Sequence, residues 1–223
     1  MTPPKAVLFD IGMTFIHPSG QVMSEELAAV GAPGVGAKTA EAALATAAEA
    51  HHLDFPQGLT RPQKVGAVWG QLLGVGAETG RRAWRRCTDR TDLYRDLDPD
   101  AVVVLREICG RGLAVAAVSN SDGTLTEELT RFGLLDFFNV VVDSTLTGAE
   151  KPDPGIFASA LGQLGCAPAD TLFVGDGLIN DIFGALRAGI TSTVLYDRHQ
   201  VYRELPVPVI TTLPQLLDHL PAA

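Results

Sequence analysis

An α/β fold, in which a mainly parallel sheet is combined with an all-helical insertion, is predicted by two features of the sequence. From residue 98 onward, short apolar runs of the kind found in buried strands alternate with segments of helical periodicity. A similar run, AVLFD at 6–10, lies near the N-terminus, and residues 15–96 separate it from the others without a clear strand pattern of their own. Alternation of strands and helices predicts a parallel sheet with helices on both faces.

The strands of the predicted sheet are short and mainly apolar, as expected for strands that are buried on both faces. They are AVLFD (6–10), LAVAAVS (113–119), VVVD (140–143), TLFVGD (171–176), STVLYD (192–197) and VPVITT (207–212). Helices are predicted between them and after the last one, at 98–112, 123–132, 154–164, 178–188 and 213–220. In the first of these, Gly110 and Gly112 indicate where the helix stops.

Residues 15–96 are rich in Ala, Glu and Arg, and four stretches can each form a helix. These stretches are SEELAAVG, KTAEAALATAAEAHHL, RPQKVGAVWGQLLGV and AETGRRAWRRCTDRTDLYRDL. Such a block predicts an all-helical insertion over one end of the sheet. The expected domains are therefore a core of residues 1–14 and 97–223 and a helical domain at 15–96.

Charge and composition argue against several classes of protein. The net charge of −9 disfavours a general nucleic-acid binder, because such domains usually carry a basic excess. No apolar stretch reaches the roughly 20 residues that span a bilayer, and the segment MTPPK is unlike a secretion signal. Three separated cysteines suit a reducing compartment. We therefore expect a cytoplasmic protein with no nucleic-acid or membrane partner; whether it is a monomer or a homodimer stays open.

Polar residues follow several of the predicted strands at the point where each strand ends. They are Asp10, Ser119, Asp143 and Asp176. In an open parallel sheet, ligands bind in the crevice outside the carboxyl ends of the strands. The sequence therefore predicts a functional site at this edge.

Four short motifs carry this pattern: DIGMT (10–14), SNS (119–121), KPDP (151–154) and GDGLIND (175–181). Each is weak alone, but together and in this order they resemble the motifs of the haloacid dehalogenase-like (HAD) hydrolase superfamily. The resemblance implies a Rossmann-like core, and the insertion after the first motif is similar to a C1-type cap domain, which would close over the pocket. It also implies Mg²⁺-dependent hydrolysis of a small phosphorylated substrate.

The acidic residues of these motifs suit a nucleophile and a metal site. The resemblance implies that Asp10 is the nucleophile. A carboxylate suits this role because it is already ionised at neutral pH and needs no base to activate it. Mg²⁺ prefers oxygen ligands and often takes only one or two carboxylates. By resemblance, Asp10 and Asp176 bind Mg²⁺ directly, the carbonyl of Gly12 adds an oxygen, and Asp181 binds directly or through water.

The remaining motif residues suit recognition of a phosphoryl group. The hydroxyl of Ser119 and the backbone N–H of Asn120 are donors that can stabilise charge in phosphoryl transfer. Pro152 favours an extended conformation for Lys151, which aims its ammonium at one point. In the family this lysine neutralises the nucleophile and the phosphoryl group.

Gly12 is a departure from the family pattern. Most phosphatases of this superfamily read D-x-D at the first motif, and the second Asp protonates the leaving oxygen. Glycine has no proton to give, and general acid assistance is typically worth about 10²–10⁴-fold. One explanation is a phosphatase for good leaving groups, or one that takes a proton from solvent or from the insertion. The candidates in the insertion are His17, His51, His52, Glu25 and Glu26.

Two further explanations of Gly12 stay open. The protein could be a weak or inactive relative with a ligand-binding or regulatory role, or a HAD hydrolase that does not act on phosphate esters. Dehalogenases of the superfamily need no Mg²⁺, and the acidic pair Asp176 and Asp181 argues against them. Phosphonatase-like members use a lysine of the cap, and Lys38 and Lys64 are the cap lysines here.

Three other features of the insertion have a structural interpretation. The arginines of GRRAWRRC are interpreted as a solvated helix face with acidic partners at Asp89 and Asp92. The alternative is a binding site for an anionic substrate. Trp69 and Trp84 are interpreted as core residues of the helical domain. The pair His51–His52 lacks further ligands at a spacing that would support a zinc site.

Overall fold

A computed structural model describes residues 3–55, 58–202 and 204–221. The chain folds into two compact units. The core unit comprises the described residues up to Phe15 and from Leu97 onward, and the helical unit is Ile16–Asp96.

The elements of the described residues follow one another as short strands and helices. The strands are β1 (Ala6–Phe9), β2 (Ile16–Pro18), β3 (Tyr94–Leu97), β4 (Ala114–Ser119), β5 (Val140–Asp143), β6 (Thr171–Gly175), β7 (Ser192–Tyr196) and β8 (Val209–Ile210). The α-helices are α1 (Gly20–Ala29), α2 (Ala37–Ala47), α3 (Arg61–Leu72), α4 (Ala77–Thr88), α5 (Ala101–Gly110), α6 (Leu125–Arg131), α7 (Ser144–Thr147), α8 (Pro154–Leu164) and α9 (Gly184–Arg187). A π-helical turn at Leu178–Phe183 precedes α9, and 3₁₀ turns lie at Ala50–His52, Leu135–Phe137, Pro168–Asp170 and Leu213–His219.

The core unit contains a six-stranded sheet with the order β5-β4-β1-β6-β7-β8. All of its strand pairs are parallel, which confirms the predicted fold class. Every residue of β1 and β6 is buried, as their apolar sequences require for central strands covered on both faces. Phe9 lies opposite both Ala117 and Val174, so β1, β4 and β6 end at the same edge.

Helix α8 contributes to the buried cluster on one face of this sheet. Ile156 and Phe157 pack there with Leu8 of β1 and Phe173 of β6. The rings of Phe157 and Phe173 meet edge to face with centroids 5.1 Å apart. Helix α8 begins at Pro154, and the carboxylate of Asp153 caps it by accepting from the N–H of Gly155 at 2.7 Å.

The helical unit packs around two tryptophans, which confirms their interpretation as core residues. Trp69 is fully buried, and Trp84 lies 5.7 Å away between ring centroids. The indole Nε1 of Trp69 donates to the carbonyl of Ala40 at 2.9 Å, which ties α3 to α2. None of the helices that the structure describes has both the length and the apolar character needed to cross a membrane.

The expectation that residues 15–96 contain no strand is wrong. β2 pairs with β3 in a two-stranded sheet at the two ends of this block, and the predicted helix at 77–97 ends at Thr88. Ser19 extends the pairing by donating its N–H to the carbonyl of Leu93 at 2.7 Å. Strands of three and four residues are too short for a periodic pattern, and their pairing depends on residues that are distant in the chain.

Glycines allow α3 and α4 to pack closely. A Cβ added to Gly80 would lie 2.6 Å from the backbone nitrogen of Gly70, closer than real Cβ atoms approach. We expect Gly80→Ala to lower the free energy of unfolding by about 1–3 kcal/mol, because the extra methyl group forces the helices apart. Chemical denaturation followed by circular dichroism measures this change.

Gly162→Ala in α8 is the matched control for this substitution. No atom lies within 4 Å of a Cβ at Gly162, so the gain in helix propensity, about 1 kcal/mol, should appear without a clash. Stabilisation of the protein by both substitutions would contradict the close packing of α3 on α4.

Candidate active site

Three carboxylates meet at the carboxyl edge of the sheet. Asp10 directly follows β1, Asp176 directly follows β6, and Asp181 lies in the π-helical turn. One oxygen from each carboxylate lies within 4.8 Å of those of the other two. Asp10 and Asp181 are buried and Asp176 is partly exposed, so this cluster has the three acidic groups that the sequence assigned to a metal site.

Backbone hydrogen bonds align the two strand ends and the turn that carry these carboxylates. The N–H of Asp10 donates to the carbonyl of Val174 at 2.9 Å, which continues the pairing of β1 with β6 by one residue. Asp181 folds back on the loop, because its Oδ2 accepts from the N–H of Gly177 at 2.8 Å. The Cγ of Asp181 lies 2.5 Å from the place of a Cβ on Gly175, so only glycine fits beneath this carboxylate.

Lys151 brings a positive charge into the acidic cluster. Its ammonium pairs with Asp10 and, at 2.7 Å, with Asp181, and its side chain is 2% exposed. Burial acts to lower the pKa of Lys151, but the charges of Asp10 and Asp181 outweigh this effect and raise it. The ammonium is therefore protonated at neutral pH.

The carboxyl group of Asp10 has a perturbed pKa. Burial raises the pKa of Asp10 to about 6, with the ammonium of Lys151 opposing this change and the charge of Asp181 adding to it. The group is still mostly ionised at pH 7. A cation bound between the carboxylates would lower this pKa, since it would favour the charged form.

The segment after Asp10 makes a sharp turn. Met13 adopts a left-handed conformation with φ 64°, which is rare for a side chain other than glycine. After this turn, the buried hydroxyl of Thr14 donates to the Oδ2 of Asp10 at 3.4 Å. Sequence reasoning assigned no role to Thr14, although its place four residues after Asp10 in DIGMT could have indicated it. At Gly12, no atom lies within 4 Å of the place of a Cβ.

The residues of the second motif lie at the end of β4. Ser119 is the last residue of this strand and is buried. The side chain of Asn120, for which the sequence indicated no role, makes two hydrogen bonds to the main chain of Lys151. The second and third motifs are therefore joined directly.

Asp143 lies at a strand end but does not join the acidic cluster. Its carboxylate accepts from the backbone N–H groups of Gly123 at 3.0 Å and Thr145 at 2.9 Å. These bonds cap α7 and hold the loop that follows β4. Aspartate is among the residues preferred at this position, because its side chain accepts from nearby backbone N–H groups.

The carboxylates considered as proton donors in the insertion are engaged in ion pairs of the helical unit. Arg90 contacts Glu25 and Glu26 at 3.1 Å each, and Arg86 donates to Glu26 at 2.5 Å. Hydrogen bonds from Gln21 and Arg90 lower the pKa of Glu25, so it is ionised at neutral pH.

His51 is an equally poor source of a proton at neutral pH. The rings of His51 and His52 lie with their centroids 4.0 Å apart and their planes tilted by 41°. Burial, together with the charge of Arg61, lowers the pKa of His51 to about 4, so its ring is neutral at pH 7. His17 is buried in the same unit.

Three arginines of GRRAWRRC, Arg81, Arg85 and Arg86, form ion pairs within the helical unit, and one of the two expected partners, Asp89, is among the acidic residues they contact. Arg81 pairs with Glu78, and Arg85 lies 4.0 Å from Asp89. Asp92, the other expected partner, pairs with Arg90 at 2.7 Å and with Arg95 at 3.2 Å. The pairs on the exposed face are of the kind that contributes little to stability.

A family model described as haloacid dehalogenase-like hydrolase matches residues 4–189. The chain belongs to this family. The matched region of this HAD-like hydrolase contains the whole acidic cluster, Lys151 and the end of β4.

Relatives of this HAD-like hydrolase include named phosphatases. Glyceraldehyde 3-phosphate phosphatase of Methanopyrus kandleri is 39% identical over 95 residues, which cover 42% of this chain and 41% of that protein. Phosphoserine phosphatase of Thermus thermophilus is 40% identical over 103 residues, which cover 46% of this chain and 41% of that protein. The chain thus spans about half the length of the relatives that it matches, or somewhat less.

Solved structures of similar fold cover nearly all of this chain. The crystal structure of YfnB from Bacillus subtilis, bound to magnesium, has a TM-score of 0.67 and 21% sequence identity. The alignment covers 97% of this chain and 98% of that one. At this identity the similarity establishes the α/β fold alone.

Proposed function

We propose that this HAD-like hydrolase cleaves a small phosphate monoester in a Mg²⁺-dependent reaction that passes through an aspartyl-phosphate on Asp10. The observation that carries the proposal is the cluster of three carboxylates, two of which pair with the buried ammonium of Lys151. The names of relatives that act on glyceraldehyde 3-phosphate and phosphoserine support a small phosphorylated metabolite as substrate.

The donor set of the cluster suits Mg²⁺. All three side chains offer carboxylate oxygens, which are the hard ligands that this ion prefers over nitrogen or sulfur. Asp10, Asp176 and Asp181 would hold the ion, and the carbonyl of Gly12 is a further candidate ligand. When bound, Mg²⁺ neutralises charge on the phosphoryl oxygens and helps to orient the phosphorus for attack.

The proposed reaction has two steps, and each site residue has a role in them. An oxygen of Asp10 attacks the phosphorus, a new P–O bond forms, and the bond to the leaving oxygen breaks. A water molecule then attacks the phosphorus of the aspartyl-phosphate, which releases phosphate and regenerates the carboxylate. Lys151 stabilises the charge of both groups, and the Ser119 hydroxyl and the Asn120 N–H are donors to the phosphoryl oxygens.

The leaving oxygen receives no proton from position 12. It departs as a stable anion or takes a proton from solvent, so esters with good leaving groups, such as aryl phosphates, lose least from the missing acid. The substrates named for the relatives belong to those proteins, and the metabolite that this chain hydrolyses is to be sought among small phosphate esters.

Hydrolysis of an aryl phosphate during a Mg²⁺ titration tests the proposal. We expect activity only with the metal, and Asp176→Asn should raise the Mg²⁺ concentration needed for half-maximal rate by about 10-fold or more, because one carboxylate ligand is lost. A rate that is independent of Mg²⁺, or no hydrolysis across a panel of phosphorylated metabolites, would overturn the proposal.

Asp170→Asn is the matched control for this variant. Asp170 precedes β6 as Asp176 follows it, and its carboxylate pairs with Lys5 at 2.7 Å on the surface. Because exposed ion pairs contribute little, this substitution should leave the Mg²⁺ titration unchanged.

Gly175→Ala is expected to weaken metal binding without removing a ligand. A methyl group at this position would lie 2.8 Å from the Cβ of Asp181 and would push its carboxylate away. We expect the affinity for Mg²⁺ to fall by about 10- to 100-fold, the range found when a group that orients a ligand is lost. Calorimetric titration with Mg²⁺ measures the change, and an unaltered affinity would mean that Asp181 is not a ligand.

A further inference from the structure

We infer that the side chain of Asn120 positions the ammonium of Lys151, and that Asn120 is thereby a positioning residue for phosphoryl transfer. The inference deepens the proposed function and rests on it for its kinetic consequence. It concerns the amide side chain, which is distinct from the backbone N–H that the sequence assigned to the substrate.

The contact between the two residues is a matched pair of hydrogen bonds. The Oδ1 of Asn120 accepts from the backbone N–H of Lys151 at 2.6 Å, and its Nδ2 donates to the carbonyl of Lys151 at 2.9 Å. A primary amide is the side-chain group that can offer an acceptor and a donor side by side in this way. The two bonds together fix both the position and the direction of the main chain at Lys151.

Lys151 needs such support because it belongs to neither a helix nor a strand. It lies between the end of α7 at Thr147 and the start of α8 at Pro154. Asn120, by contrast, directly follows β4, whose last residue Ser119 is paired with Asp143 of β5. The amide therefore fixes the loop that contains Lys151 relative to the end of β4.

The ammonium at the other end of the lysine requires accurate placement. It pairs with Asp10, the proposed nucleophile, and with Asp181 at 2.7 Å, while its side chain is 2% exposed. A displacement of about 1 Å in a reacting or charge-stabilising group can cost about 10²-fold in rate. Loss of the amide should thus act on catalysis through Lys151.

A double-mutant cycle separates positioning from a general structural effect. We expect Asn120→Ala to lower kcat for an aryl phosphate by about 10- to 100-fold in the wild-type background. In the Lys151→Met background the same substitution should change kcat by less than about 3-fold, because the group on which it acts is absent. Equal effects in the two backgrounds would overturn the inference.

Asn139→Ala is the matched control. The Oδ1 of Asn139 accepts from the backbone N–H of Val115 at 2.8 Å, near the other end of β4. This variant loses a comparable bond to the main chain, so it should affect stability without lowering kcat. Asn120→Ser serves as a second variant if Asn120→Ala does not fold, with the same two expectations.

Chemical labelling tests the inference independently of turnover. We expect the acylation rate of Lys151, resolved by peptide mass spectrometry against the exposed Lys5 as reference, to rise by about 10-fold in Asn120→Ala and to stay unchanged in Asn139→Ala. An unchanged rate in Asn120→Ala would overturn the inference. Absence of hydrolysis by the wild type would instead overturn the proposed function, and the labelling result would still decide the role of Asn120.

Discussion

Replacing Asp10 with asparagine should lower the rate of aryl-phosphate hydrolysis by about 10³-fold or more, because the amide is not a nucleophile. The side chain keeps nearly the same shape, and Lys151 retains its pair with Asp181 at 2.7 Å. The fold should therefore persist. Steady-state kinetics measure the effect, with intact mass to verify that the asparagine has not deamidated back to aspartate.

Asp143→Asn is the control for this experiment. Asp143 is another buried aspartate at a strand end, but its carboxylate binds the N–H groups of Gly123 and Thr145. Its replacement should lower the melting temperature and reduce kcat by less than about 10-fold, since no reacting group is removed. Comparable rates for the wild type and Asp10→Asn would remove Asp10 from the mechanism.

Introducing an aspartate at Gly12 should raise kcat/KM for alkyl phosphates by about 10²–10⁴-fold, the usual value of a general acid. The position can accept a side chain, since no atom lies within 4 Å of the place of a Cβ. The φ angle of Gly12 is also not positive, so an L-residue is not strained there. Aryl phosphates should gain far less, because their leaving groups need little protonation.

Gly12→Asn separates the proton from the shape of the new side chain. Asparagine has nearly the same volume as aspartate and no acidic proton, so it should give no gain on alkyl phosphates. A gain with aspartate alone would mean that the natural site lacks its acid. A loss with both residues would mean that the glycine serves a chemistry of its own.

The central part of the site could be predicted from the sequence for a simple physical reason. Asp10 and Asp176 follow short apolar strands, and parallel strands bring their carboxyl ends to one edge. Asp143 satisfies the same rule and yet supports a loop, since its carboxylate accepts from the N–H groups of Gly123 and Thr145. Position at a strand end is thus informative about location but not about chemistry.

The supporting contacts could not be predicted, because they depend on how distant segments meet. The amide of Asn120 reaches the main chain of Lys151 across 31 residues. The pairing of β2 with β3 likewise joins the two ends of the insertion, and each strand is too short to have a pattern. Thr14 is close to Asp10 in sequence, but its contact depends on the left-handed turn at Met13.

The most direct test of an aspartyl-phosphate on Asp10 is acid quenching of the wild-type enzyme during turnover with Mg²⁺, followed by peptide mass analysis. We expect one phosphoryl group on the peptide that contains Asp10, formed at least as fast as turnover and absent from Asp10→Asn. Steady hydrolysis with no phosphorylated Asp10 at any quench time would contradict it.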